Sequence, residues 1–358
     1  MVDGKIIMTQ EKDRLISEEA VRWAFRFFIG REPDDAQEIA FHQQHNSIAS
    51  LRAAFSETRE FVAYLQSLRG PEAYRAPLFV MAPPDDPQVP WHFSPPLLTK
   101  PVSQICTSSQ IEEESFGAWC AAMDIAPVAH RKIWEFCFIL AALDSQGMLV
   151  SGNRGLGFGV GQEPLPAVFA QRGMKITATD APMDVEASQG WGTTGQHASG
   201  LRALDRPKIV PFERLEQQVE FRFVDMNAIP DDLLDYDFCW SSCALEHLGS
   251  LEHGLRFIED SLRTLRSGGC AVHTTEFNLT SNDETLESSS LSLYRKRDFE
   301  AVASRLIAAG HHVLPLNFHP GGMAVDQHID LPPYALPHLK LALAEYVTTS
   351  FGLVIRKG

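Results

Sequence analysis

Four glycines, at 155, 157, 159 and 161, alternate with Leu156, Phe158 and Val160, and Asp180 follows nineteen residues after the last of them. Glycine weakens an extended segment, so such a run marks a place where a ligand or another backbone comes very close. A carboxylate ending the next strand is placed to bond ribose hydroxyls. Asp225 closes a second strand-like segment, Val219–Val224, and the pair Glu246-His247 follows a third, Tyr236–Ser242. Near neutral pH an imidazole is suited to taking a proton from an acceptor, and a neighbouring carboxylate is the other candidate.

The elements that must position these groups are legible around them. Pro164–Gly173 reads as a helix opened by proline and closed by glycine, and Lys175–Asp180 as a strand ending in its acid. Strand, glycine turn, helix, strand, acid is the nucleotide-binding half of a doubly wound α/β sheet. The dinucleotide fingerprint G-x-G-x-x-G fits no register: it needs glycine at 160, 162 or 164, where Val, Gln and Pro stand. An NAD-dependent sugar-modifying enzyme is thus a rival reading that lacks its signature.

The glycine run resembles motif I of the class I S-adenosylmethionine-dependent methyltransferases, with Gly159 and Gly161 on the first two motif glycines and Asp180 on the second-strand acid. Val219–Pro230 resembles the family's third strand, Tyr236–Leu248 its "FDxVxSxxxLEHL" segment, Arg266–Gly269 its "kPGG" turn and Cys270–Thr275 its fifth strand. The order of these elements matches over about residues 148–280. The resemblance implies a Rossmann-like, seven-stranded methyltransferase sheet with helices on both faces, and S-adenosyl-L-methionine as cofactor. It places Gly157, Gly159, Gly161, Glu163, Asp180, Ala181, Asp225, Met226, Ser241 and Ser242 on the cofactor and His247 with Glu246 in catalysis. Asp225 would bond the adenine amino group.

Two departures come with that register. Gly157 stands where the family has its strand-end acid, and Glu163 where it has a third glycine. Glu163 is expected to face the methionine end of the cofactor and partly replace the missing acid. The same departures keep open a cofactor-binding regulatory or scaffold subunit without turnover. Further proton acceptors are Glu276, His319 and His328. Small-RNA methyltransferases hold a metal with E-x-x-E-H. Here Cys243 replaces the first acid and His319, Asp326 and His328 would have to complete the set, so no metal is expected.

With Lys+Arg 31 against Asp+Glu 46, a formal charge of −15, the chain is unsuited to broad nucleic-acid binding. The DNA amino-methyltransferase signature [N/D]-P-P-[Y/F] is missing after the fourth strand, where Ser241–Ala244 stands. No run of eighteen apolar residues and no signal-peptide core occurs, so a cytoplasmic protein with no transmembrane segment is expected. The six cysteines form no C-x-x-C pair and read as reduced.

Residues 1–70 read as a helical accessory module, with Ser17 capping a helix that Gly30 ends, a second helix over Asp34–His45, and Ser47 capping a third through Leu65. The string AFRFFIGREPDDAQ resembles a small bacterial helical module joined to surface-polysaccharide enzymes. That implies polysaccharide biosynthesis, and a plain dimerisation arm giving a homo-oligomer is the other reading. Residues 71–104 read as a linker, since nine of the 22 prolines fall within 71–101. The catalytic domain is then 105–358. Two helices, Ser108–Met123 and Pro127–Leu143, precede the first strand, and His312–Asn317 reads as the sixth strand. A Gly/Ser/Thr/Gln-rich insertion after Asp180 offers Trp191, Gln196 and His197. The expected activity is methyl transfer, as O-methylation, to a small-molecule or glycan acceptor.

Overall fold

The computed structural model describes residues 16–61, 73–182 and 197–358. The chain divides into two compact units, with the boundary between residues 72 and 73 and residues 331–335 grouped with the first. Leu65, Trp191 and Gln196 lie outside the described residues.

In the first unit α1 (Glu18–Ala24) starts at Ser17, whose hydroxyl accepts from Ala20 N at 3.1 Å. It runs into a π-helical turn, Phe25–Ile29, that stops at Gly30 with φ 74°. Asp35 caps α2 (Ala36–His42) and Ser47 caps α3 (Ile48–Ser56). Their apolar faces close on Phe25 and Phe55, whose rings meet edge to face at 4.8 Å.

The second unit is built on one sheet of ten strands. They are β1 (Ser103–Ile105), β2 (Arg154–Phe158), β3 (Lys175–Asp180), β4 (Val219–Phe223), β5 (Tyr236–Ser242), β6 (Leu265–Asn278), β7 (His312–Val313), β8 (Leu316–Asn317), β9 (Leu341–Leu343) and β10 (Tyr346–Arg356). The order is β4-β3-β2-β5-β6-β10-β1-β8, with β7 and β9 also paired to β10. Pairs from β4 through β6 are parallel and β10 runs antiparallel to β6. This is the doubly wound α/β sheet of Rossmann type, with ten strands where seven were expected. Strand order reverses between β2 and β5, and ligands of open α/β sheets bind outside the carboxyl ends at such a point.

Strand residues alternate between two apolar layers. Leu156, Phe158, Cys239 and Ala271 face α8 (Leu251–Ser261) and α9 (Lys296–Ala308). Ile176, Phe238, Trp240 and Val272 face α4 (Glu114–Ala122), α5 (Arg131–Ser145), α6 (Leu165–Gln171) and α7 (Phe212–Gln218). Gly352 on β10 lets α5 lie against the sheet, because a Cβ there would stand 2.0 Å from Phe138 Cε1.

Three expectations need correction. The proline-rich stretch from residue 73 is packed: Val80, Val89 and Leu98 are buried, Trp91 bridges Leu316, and residues 103–105 form β1 in the sheet. Prolines lack N–H donors but suit an irregular cover over an edge. The expected sixth strand, 312–317, is split. Pro315 follows Leu314 between β7 on β10 and β8 on β1. Arg266–Gly269, read as a turn, lies inside β6, where pairing to β5 shifts register and Gly268 takes φ 76°.

Candidate active site

The glycine run has two halves with different causes. A Cβ on Gly155 would lie 2.4 Å from Phe238 Cζ, and one on Gly157 2.4 Å from Trp240 Cζ2. These glycines make room for the rings of β5, not for a ligand. Gly157 does not line the cavity described below. Gly159 and Gly161 do form a turn, with φ 59° and 51°. A Cβ at Gly159 would meet Ala244 Cβ at 2.8 Å, so the turn after β2 presses on the turn after β5.

Trp240 also answers for Glu163. Its Nε1 donates to Glu163 Oε1 at 2.5 Å, and burial pushes the Glu163 carboxyl up to about 8 despite that bond. Glu163 lines the cavity described below, but it keeps its proton at neutral pH. Burial thus favours the neutral acid at the position where the sequence suggested a carboxylate.

At the β3 end, Asp180 is buried. Its Oδ1 accepts from Ala181 N at 2.9 Å and its Oδ2 from Ala198 N at 2.8 Å, with His197 Nδ1 at 3.4 Å. Burial raises its pKa, against the pull of those amides and of His197. Asp225, half-buried after β4, caps the following turn by accepting from Asn227 N at 2.8 Å. Met226 Sδ would lie 3.4 Å from a Cβ on Gly159, which brings β4's turn to the glycine turn.

A cavity of about 940 Å³ opens at the carboxyl edge, between the glycine turn and the start of α5. Gly159 to Pro164 form one side, and His130, Arg131 and Lys132 another. Ser242, Cys243, Glu246, His247 and Glu276 form the wall between β5 and β6. Asp180 and Asp225 do not line it.

The wall is organised by Glu135, which is fully buried on α5. Its carboxylate accepts from Ser350 Oγ at 2.6 Å, Cys243 Sγ at 2.9 Å, and Ser242 Oγ and Thr274 Oγ1 at 3.1 Å, with Arg131 and Lys132 each at 3.4 Å. Burial alone would raise its pKa, but the two cations and these donors hold it below the usual carboxylate range. Cys243 sits at φ 46° immediately after β5, and burial with the nearby Glu135 lifts its thiol well above the ordinary value. It stays a neutral donor.

Glu276, at 4% exposure, pairs through Oε1 with Arg131 Nη2. Its Oε2 has no hydrogen-bond partner among the described residues, and the Thr348 hydroxyl beside it does not reach bonding geometry. Burial pushes this carboxyl up to about 7, the Arg131 charge pulling back and Glu246 and Glu135 adding to the rise.

Other expected residues fall differently. Ser241 faces away: it bonds His273 Nδ1 at 2.8 Å, and His273 Nε2 meets Ser261 at 3.1 Å, a sealed network in which burial takes the imidazole down to about 3. Alternation along β5 turns Ser241 to one face and Ser242 to the other. Glu246 is 1% exposed and accepts from Thr275 Oγ1 at 2.8 Å. His247 reaches the cavity while its Nδ1 meets Ser290 O at 2.6 Å, which makes Nδ1 the donor. His319, Asp326 and His328 do not line the cavity. Asp326 is spent on Ser108 N and Oγ, each at 2.8 Å.

Cys243, Glu246 and Glu276 place ligand-type atoms within 4.8 Å of one another. Glu135, Thr275 and Arg131 already engage them in turn, and the Arg131 charge opposes a further cation. The group behaves as a charged hydrogen-bond network. Arg131, Lys132 and Glu135 carry more of the site than sequence reasoning gave them. Their signal was charge at i, i+1 and i+4 at the start of a helix whose later residues, Phe136 to Leu143, are apolar.

No family model matches the chain, and no curated protein sequence is similar to it. Solved structures do resemble it. Magnesium protoporphyrin IX methyltransferase from Synechocystis PCC 6803, with bound SAH, aligns over 62% of this chain and 80% of its own at 14% identity, TM-score 0.35. The CcbJ methyltransferase from Streptomyces caelestis aligns over 61% and 93% at 12% identity, TM-score 0.36. A Haemonchus contortus phosphoethanolamine N-methyltransferase aligns over 49% and 37% at 18% identity, TM-score 0.33. The likeness is one of fold at most, and the sheet is assigned on its own strand order.

Among the described residues, no helix is long and apolar enough to cross a membrane.

Proposed function

We propose that the second unit binds S-adenosyl-L-methionine and transfers its methyl group to a hydroxyl of a small molecule, such as a sugar or glycan intermediate. The observation that carries this reading is the cavity at the strand-order reversal, which joins the Gly159–Gly161 turn to a wall of proton-exchanging side chains. Its size suits a small-molecule or short-glycan acceptor rather than a polymer surface.

The residues present suit the cofactor. Gly159 and Gly161 supply a backbone turn without side chains. Asp180 and Ala181 after β3, and Asp225 and Met226 after β4, stand at the nucleoside end. When bound, the cofactor supplies a methyl group on positively charged sulfur. The chain supplies alignment, exclusion of water and a destination for the acceptor's proton. Lys132, with a side chain 35% exposed at the cavity, is the cation placed to meet a carboxylate.

A second reading, a cofactor-binding subunit without turnover, is favoured by the Trp240 ring standing over Gly157 where the family carries an acid. One experiment separates the two. Calorimetry with S-adenosylmethionine, followed by measurement of S-adenosylhomocysteine production over an acceptor panel, should show both binding and acceptor-dependent product. Binding without product under any acceptor supports the subunit reading, and no binding overturns both.

A further inference from the structure

We propose that Glu276 is the residue that takes the proton from the acceptor's nucleophilic atom, an inference that rests on the cavity being a methyl-transfer site. The carboxylate is held asymmetrically. Oε1 is clamped by Arg131, while Oε2 is buried in the cavity wall with no partner among the described residues. A buried polar atom without a partner is costly, and a ligand hydrogen directed at Oε2 removes that cost.

Charge in the wall points the same way. Three carboxylates, Glu135, Glu246 and Glu276, share two cations, Arg131 and Lys132. Glu135 lies beside both cations and takes four further donors, and Glu246 has Thr275, while Glu276 has Arg131 alone. It is the one whose protonation is shifted into the working range, to about 7, where a general base is most effective. The groups facing it are Arg131 and Glu135 from α5, Cys243 and Glu246 from the turn after β5, and Thr348 from β10.

In the step, the acceptor's lone pair forms the new bond to the methyl carbon, and the electrons of the broken S–C bond stay on sulfur. The acceptor's X–H bond breaks and its proton goes to Oε2, leaving a neutral carboxylic acid. Arg131 is the positioning residue, since it holds the other oxygen, Oε1.

The test uses the full chain and Glu276→Gln, Glu276→Asp and His247→Ala. In the wild type, kcat should rise with pH and level off above about 7. Glu276→Gln should lower kcat at least about a hundredfold and abolish that limb while S-adenosylmethionine affinity stays unchanged. His247→Ala should keep the limb. Without any turnover, infrared difference spectra should show a protonated-carboxyl component lost as pH passes about 7, which is missing in Glu276→Gln while the Glu163 component, lost near 8, remains. Wild-type kcat and an intact limb in Glu276→Gln would overturn the assignment, as would transfer of the limb's loss to His247→Ala. Should Glu276→Gln fail to fold, Glu276→Asp decides: lowered kcat with the limb retained supports the base, and wild-type kcat overturns it. A wild type that neither binds S-adenosylmethionine nor forms product fails the methyl-transfer reading instead, and the infrared result still reports on Glu276.

Discussion

Trp240 and Glu163 form a buried pair in which the indole N–H donates to the carboxyl at 2.5 Å, and the indole ring fills the side of β2 that Gly157 leaves open. One side chain thereby accounts for both departures of the glycine motif. The ring excludes an acid at 157, and its N–H gives a buried carboxyl at 163 a partner.

That packing predicts the outcome of adding a methyl group at 157. A Cβ 2.4 Å from Trp240 Cζ2 overpacks the layer beneath α6. Gly157→Ala should lose about 1–3 kcal/mol of stability in denaturant unfolding. A Gly157→Ala protein as stable as the wild type would mean that the ring moves aside freely.

The raised pKa of Glu163 makes stability pH-dependent. A carboxyl at about 8 when folded, against 4.5 as its ordinary value, binds more protons in the native state. Its contribution is fully present below the unfolded pKa and is lost as pH rises through about 8. The slope is at most about 1.4 kcal/mol per pH unit. Glu163→Gln should flatten the decline in unfolding free energy between neutral and mildly alkaline pH, measured by urea titration.

Asp180 is expected to exchange part of its present bonding for the cofactor's ribose. Asp180→Ala should weaken S-adenosylmethionine binding by about 1–3 kcal/mol, read by calorimetry on a variant shown to be folded. Unchanged affinity would remove Asp180 from the site.

Glu135 is predicted to be a keystone of the wall. Glu135→Ala takes its ion-pair partner from Lys132 and leaves Arg131 with Glu276 alone, and should cost about 3–5 kcal/mol in unfolding. Glu135→Gln keeps the shape and part of the bonding and should cost less. Equal losses in the two variants would show that shape, not charge, is what matters.

The order of elements from β2 to β6 was legible because parallel strands buried on both faces read as apolar runs, and the acids at their ends are fixed by position. Helix caps such as Ser17 and Ser47 were legible for the same local reason, since each satisfies amides a few residues away. What a residue touches across the sheet was not legible. Gly155 and Gly157 look like the ligand-facing glycines at 159 and 161, yet β5's Phe238 and Trp240 decide their role. Ser241 and Ser242 are neighbours, and only the pleat sends one to His273 and the other to Glu135. The sequence by itself determined the doubly wound sheet and the edge at which ligands meet it. Tertiary structure alone decided the working groups of that edge, because Glu276 lies more than a hundred residues from Arg131 and Glu135, which share one helix. Their charge states arise from burial beside one another, a property that no stretch of chain possesses before it folds.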